Sequence, residues 1–213
     1  MSAATDTRED RLASVSAAVL LGGASERMGT DKAALRVAGV PGATRVARLL
    51  ASLFEEVLLV GGTPPADAPG RVAGDIEGPR CALRGLASAL AAASAPRVLV
   101  VATDLPLLGE ELVLALVAFP EADAVVPRTP DGAHPLCALY ARERVLEVAR
   151  ANLAADRLAL HHVLAAVETR WLEGPDLAAV DPEGVALLNA NHPEDLARVE
   201  ALLTRASHER KLA

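Results

Sequence analysis

The sequence predicts an α/β fold in three layers, with a mostly parallel central sheet covered by helices on both faces. Two observations carry this. Several short runs are apolar throughout rather than alternating, which is how strands buried on both faces read. These runs take turns with segments of helical period, the pattern of βαβ units.

The elements follow in order. Ala17-Ala18-Val19-Leu20-Leu21 is a buried strand that ends in Gly22-Gly23. Val46, Leu49, Leu50 and Leu53 recur at i, i+3, i+4 and i+7, so residues 43–54 form a helix with one apolar face. Val57-Leu58-Leu59-Val60 followed by Gly61-Gly62 repeats the strand-to-glycine pattern. Residues 83–93 read as an Ala-rich helix, 97–102 as a third buried strand, 110–119 as a helix and 122–126 as a strand. Further on, residues 134–140, 167–172 and 185–188 have strand character, and 142–153 and 158–164 helical character. Asn191 with Glu194 three residues later forms a capping box for a last helix. Residues 63–69 are a Pro-rich surface loop. The expected organisation is one domain over residues 15–206, with a disordered tail at 1–14 and a second tail at 207–213.

Composition narrows the function. Of 213 residues, 52% are hydrophobic, enough for a substantial core and against global disorder. Only 2% are aromatic, which disfavours base stacking as a binding mode. The net charge of −7 supplies no broad basic face for nucleic acid. Cys81 and Cys137 make no metal-ligand spacing and read as reduced thiols, which predicts a cytoplasmic protein. The polar start has no signal-peptide pattern, and no apolar run reaches membrane-spanning length, so no membrane association is expected.

Four constellations can carry chemistry. The first is Leu20-Leu21-Gly22-Gly23-Ala24-Ser25-Glu26-Arg27-Met28-Gly29-Thr30-Asp31-Lys32. A strand delivers the chain to a glycine loop whose N–H groups can converge on an anion, with Arg27 and Lys32 to neutralise phosphate oxygens. It is neither a Walker A loop nor a dinucleotide fingerprint, which speaks against an oxidoreductase. A glycine turn followed by a solvated charged loop is the plain alternative. The second is Thr103-Asp104-Leu105-Pro106 at the carboxyl end of a buried strand, where α/β sheets bind ligands. Asp104 could hold Mg²⁺ or make an Asx-turn before the proline. The third is Gly74-Asp75 with Leu83-Arg84-Gly85-Leu86 at a helix start, where Asp75 is either a nucleoside contact or a loop residue. The fourth pairs His134-Pro135-Leu136-Cys137 with Asn189-Ala190-Asn191-His192, equally open to structural readings. His161 and His162 are expected on different helix faces, which argues against a shared metal. No nucleophile elbow is present.

The first block resembles the signature loop of the sugar-nucleotide-transferase-like nucleotidyltransferases, and within them the molybdenum cofactor guanylyltransferases of the MobA type. The resemblance runs from about Ala17 to Leu203. Gly22-Gly23, Asp31-Lys32, His134-Pro135 and the Asn189-Ala190-Asn191 segment followed by Pro193-Glu194-Asp195-Leu196 favour that branch. The resemblance implies a Rossmann-like sandwich of the nucleotide-diphospho-sugar transferase kind. It implies Leu20, Leu21, Gly22 and Gly23 at the guanine nucleotide, Lys32 and Asp75 as nucleotide contacts, and Asp104 as the Mg²⁺ ligand. Asn189, Asn191 and His134 fall on the acceptor side. The implied partners are GTP, molybdopterin or its molybdenum-loaded form, and molybdoenzyme chaperones. Three positions depart from the family pattern. Val60-Gly61-Gly62 stands where an Asn is common, Cys81-Ala82-Leu83-Arg84-Gly85 stands for Gly-Pro-Leu-Ala-Gly, and His192 for a Thr.

The implied reaction is transfer of GMP from GTP to the terminal phosphate of the acceptor, with pyrophosphate leaving. Arg27, Lys32 and Asp104 are the expected catalytic residues. The competing readings are the same chemistry with CTP or another phosphorylated acceptor, and a non-catalytic nucleotide or molybdopterin carrier.

Overall fold

The computed structural model describes residues 7–22, 36–37, 39–119, 121–190, 195, 199 and 201–202. In chain order the elements are α1 (Arg8–Ala13), β1 (Val15–Leu20), β2 (Arg36–Val37), β3 (Val40–Pro41), α2 (Gly42–Ala51), β4 (Val57–Val60), β5 (Arg71–Ala73), α3 (Ala82–Ala92) and β6 (Arg97–Ala102). They continue as α4 (Glu110–Val117), β7 (Ala124–Thr129), β8 (Gly132–Ala133), β9 (Cys137–Ala141), α5 (Arg142–Ala154), α6 (His161–Leu164), β10 (Thr169–Leu172) and α7 (Gly174–Val180).

The central sheet has the order β10-β7-β9-β6-β1-β4-β5, with β8 paired to β7. Strands β5, β4, β1 and β6 run parallel, as do β7 and β10. Strand β9 is antiparallel to both of its neighbours. This is a Rossmann-like α/β sandwich. Every residue of β1 is buried because each face has its own core. Ala17 and Val19 join one apolar layer with Ala43, Val46 and Leu50 of α2 and Leu112 and Leu116 of α4. Ala18 and Leu20 join the other, with Leu83, Leu86 and Leu90 of α3 and Val145 and Ala149 of α5. Each fully buried Leu in these layers is worth about 2–5 kcal/mol against truncation to Ala.

The amino ends of the central strands are tied by one carboxylate. Glu56 accepts from the Ser94 N–H at 2.9 Å, from Ser94 Oγ at 2.7 Å, from Arg71 Nη2 at 2.8 Å, and from Ser16 Oγ. Burial alone would raise its pKa, but these donors from Ser16, Ser94 and Arg71 together pull it down to about 2.

Several expectations need correction. Residues 8–13 form a helix, not a disordered tail. Thr7 and Asp10 make a reciprocal capping box, Arg8 pairs with Glu110 at 2.7 Å, and Leu12 packs on the core. Residues 185–188 are not a strand, because the Asp181 carboxylate accepts from the N–H groups of Val185 and Ala186 and curls the chain into a turn. The strand expected over 134–140 begins only at Cys137. The Cys137 N–H donates to the His134 carbonyl at 3.0 Å, so the preceding residues turn instead. The His161 and His162 rings lie side by side, with centroids 4.1 Å apart. Among the described residues, no helix is long and apolar enough to cross a membrane.

Candidate active site at the carboxyl edge of the sheet

Register places the motifs. Leu20 at the end of β1 pairs with Val60 of β4 and with Ala102 of β6, and Val60 pairs with Ala73 of β5. Two residues beyond these pairs stand Gly22, Gly62, Asp104 and Asp75, all at one level of one sheet edge. The chain leaves β1 toward β4 on one side and returns to β6 on the other, so this edge is a topological switch point, where open α/β sheets bind ligands. From Asp75 to Asp104 are three interstrand spacings, on the order of 14 Å.

Among the described residues, the middle of this edge is open. A Cβ built on Gly22 would meet nothing within 4 Å. Beside it, Gly61 and Gly62 both have positive φ, at 68° and 65°. The chain after β4 thus folds back in a conformation that side-chain-bearing residues resist. Gly62 closes against Leu21, 3.3 Å from an added Cβ. Leu20 and Leu21 are themselves core residues, so any ligand contact of theirs goes through the main chain.

At the β5 end, the Asp75 carboxylate lies over Gly61, 3.3 Å from the position of an added Cβ. It accepts from Arg84 Nη2 at 2.9 Å, and Ser88 Oγ, which donates to the Arg84 carbonyl at 2.7 Å, lies 3.3 Å from its other oxygen. Both partners project from the first turns of α3. The sequence placed Arg84 in one constellation with Asp75, and as a departure from the family's small residue, but gave it no role; it did not single out Ser88.

At the β6 end, Asp104 is partly exposed, and its main-chain carbonyl accepts from the Ala190 N–H at 2.9 Å. That bond brings exposed Asn189 to the same edge. Cys137 is buried nearby, and burial together with the Asp104 charge pushes its thiol up to about 12. The Ala102 N–H donates to the Leu136 carbonyl at 2.7 Å, which fixes the His134-Pro135-Leu136 turn at this edge too. His134 Nε2 lies 3.1 Å from Thr129 Oγ1. Burial lowers its pKa, against the opposing charge of Asp131. The Tyr140 hydroxyl donates to the Pro135 carbonyl at 2.6 Å and braces the same turn.

The edge therefore gathers Gly22, Asp75, Asp104, His134 and Asn189. Gly23, Arg27, Lys32 and Asn191 lie outside the described residues. Among the described residues, no group of three His, Cys, Asp or Glu side chains clusters as a metal cage. Asp104 offers one carboxylate at the level of Gly22, a donor set suited to a divalent ion shared with a ligand's oxygens.

Known proteins resemble this chain. A probable molybdenum cofactor guanylyltransferase of Chloroflexus aggregans is 35% identical over 200 residues, covering 89% of this chain and 95% of the relative. The molybdenum cofactor guanylyltransferase of Cereibacter sphaeroides is 34% identical over 194 residues, covering 88% and 96%. Among solved structures, the molybdopterin-guanine dinucleotide biosynthesis protein A of Archaeoglobus fulgidus superposes with a TM-score of 0.76. It is 22% identical and covers 89% of this chain and 99% of that one, a likeness of fold. The model of the MobA-like NTP transferase domain matches residues 17–171, well over half the length, so the chain belongs to the MobA-like NTP transferases, a family of nucleotidyltransferases.

Proposed function

We propose that this protein is a cytoplasmic guanylyltransferase that moves GMP from GTP to the terminal phosphate of molybdopterin or its molybdenum-loaded form, releasing pyrophosphate. The observation that carries the reading is the common level of Gly22 and Asp104 on adjacent strands of one open edge. The relatives' names supply the nucleotide and the acceptor. Two free thiols fit a reducing compartment.

The attacking group is already an anionic phosphate oxygen, so no strong general base is required. The difficulty is bringing two anions together, and positioning and charge neutralisation supply most of the rate. The main chain at Gly22 and Gly23 would lie against the triphosphate. Arg27 and Lys32 would hold the leaving pyrophosphate. Asp75 would accept from the nucleoside, and Asn189, Asn191 and His134 would face the acceptor. His134, within hydrogen-bond distance of the Thr129 hydroxyl, would orient by hydrogen bonding.

Asp104 is the residue that would hold Mg²⁺. Its carboxylate offers the hard oxygen that ion prefers, and the neighbouring Cys137 thiol stays protonated and does not compete as a soft ligand. When bound, the ion would neutralise charge at the α-phosphate and orient it.

The test is a nucleotide panel with pyrophosphate release as readout and molybdopterin as acceptor, with and without Mg²⁺. GTP with Mg²⁺ should be the preferred combination. A preference for CTP would overturn the nucleotide assignment. Tight nucleotide binding without pyrophosphate release under any acceptor would favour a carrier. The product would then pass to molybdoenzyme chaperones.

A further inference from the structure

Arg84 is the one arginine of α3, and the structure gives it an unusual position. Its side chain is only 18% exposed. Nη2 reaches Asp75 Oδ2 at 2.9 Å and Nη1 reaches the Gly78 carbonyl at 3.0 Å. Its Nε is buried, with no hydrogen-bond partner among the described residues. A largely buried guanidinium with an unpaired N–H is a poor way to add stability, because desolvation offsets most of the attraction.

The arrangement does fix a direction. Asp75 is held by Arg84, with Ser88 Oγ 3.3 Å away, both rooted in α3, and Gly61 leaves room at the end of β4 for the carboxylate. Ser88 Oγ also accepts from the Ile76 N–H at 3.0 Å, so the residue after Asp75 is held as well. Asp75 follows Gly74, where an added Cβ would meet open space. Without Arg84 the carboxylate would be free to rotate, and the loop over residues 76–80 would lose its tie at Gly78.

We propose that Arg84 is a positioning residue for nucleobase selection. It holds the Asp75 carboxylate so that its outward lone pairs accept from the ring N–H and exocyclic amino group of a purine bearing both donors. This rests on the guanylyltransferase reading for its substrate, but concerns binding rather than transfer. A site built to pair such donors discriminates against an analogue lacking one of them, since its own acceptor is then left unmatched.

The test compares GTP with ITP, which lacks the exocyclic amino group, by direct binding and by steady-state kinetics. Wild type should prefer GTP. Arg84→Ala should raise KM for GTP by about 10- to 100-fold, leave kcat within about threefold, and bring the GTP-to-ITP ratio toward one. Arg84→Lys, which keeps the charge but loses the fork, should recover part of that ratio. In an Asp75→Asn background, Arg84→Ala should change the ratio no further. An unchanged ratio in Arg84→Ala, or a fall in kcat at constant KM, would overturn the proposal. If wild type binds GTP over ITP through Arg84 yet releases no pyrophosphate with any acceptor, the positioning role stands and the transfer reaction fails. Unfolding of Arg84→Ala would shift the decision to Arg84→Lys, where an unaltered GTP-to-ITP ratio together with no effect of Asp75→Asn on that ratio rejects the role.

Discussion

The Ala190 N–H donates to the carbonyl of Asp104 at 2.9 Å. Two segments far apart in the chain are thus joined through main-chain atoms, by a bond that a change of the Asp104 side chain does not delete. Asp104→Ala should leave the fold intact while cutting turnover by about 10²–10³. Lys32→Ala should act by the same order. Pyrophosphate release by the purified variants, with thermal unfolding as the folding control, measures both. Near-normal turnover in both would reject their assigned roles.

Asn189 stands exposed beside that join. Asn189→Ala should raise KM for the phosphorylated acceptor by about tenfold and leave KM for GTP unchanged. Initial-rate measurements varying each substrate in turn separate the two. An effect confined to GTP would move Asn189 to the other half of the edge.

Glu56 predicts a pH dependence of stability. Its carboxyl is lowered from 4.5 to about 2 in the folded chain. The sign follows from the lowered value: the stabilisation is fully present above about pH 4.5 and is lost as pH falls toward 2. With its side chain 23% exposed, the contribution is about 1–3 kcal/mol. Glu56→Gln should lower Tm at pH 7, and its deficit against wild type should shrink as pH drops through that window. A deficit constant from pH 7 to pH 3 would show that packing, not charge, is responsible.

The thiols should differ sharply in reactivity. Cys137 is buried and its pKa is pushed up to about 12, so it is protonated at neutral pH. Cys81, at the N-cap of α3, is partly exposed. Titration with a thiol reagent should count one cysteine in the native protein and two in denaturant. Rapid native modification of both would contradict the burial of Cys137.

Much of this was legible in the chain itself, for identifiable reasons. Strands buried on both faces have no polar side to confuse the pattern, so residues 17–20, 57–60 and 97–102 are recognisable from composition alone. The glycines after two of them mark the open edge. Residues 185–188 misled because a short apolar run has the same pattern whether it pairs or turns, and only the Asp181 carboxylate decides between them. The reversed direction of β9 was likewise invisible, since apolar residues carry no sign of strand polarity. Asp75 and the helix start carrying Arg84 could be singled out by their place, but the bond between them and the nearness of Ser88 could not, because a salt bridge between a loop and a helix leaves no periodic trace.

That reversed strand has a further consequence. Because β9 enters the sheet at the edge where β1 and β6 leave it, the 130–136 segment hangs as a hairpin between two strands that both belong to the frame. Its tip at Pro130 and Asp131 can lengthen, shorten or change its side chains at little expense to the scaffold, while residues 134–136 stay tied to the frame. The end of the edge beside His134 is therefore a replaceable cassette on a fixed base. Descendants of this fold can retool what they accept at that end while leaving the nucleotide end as it was.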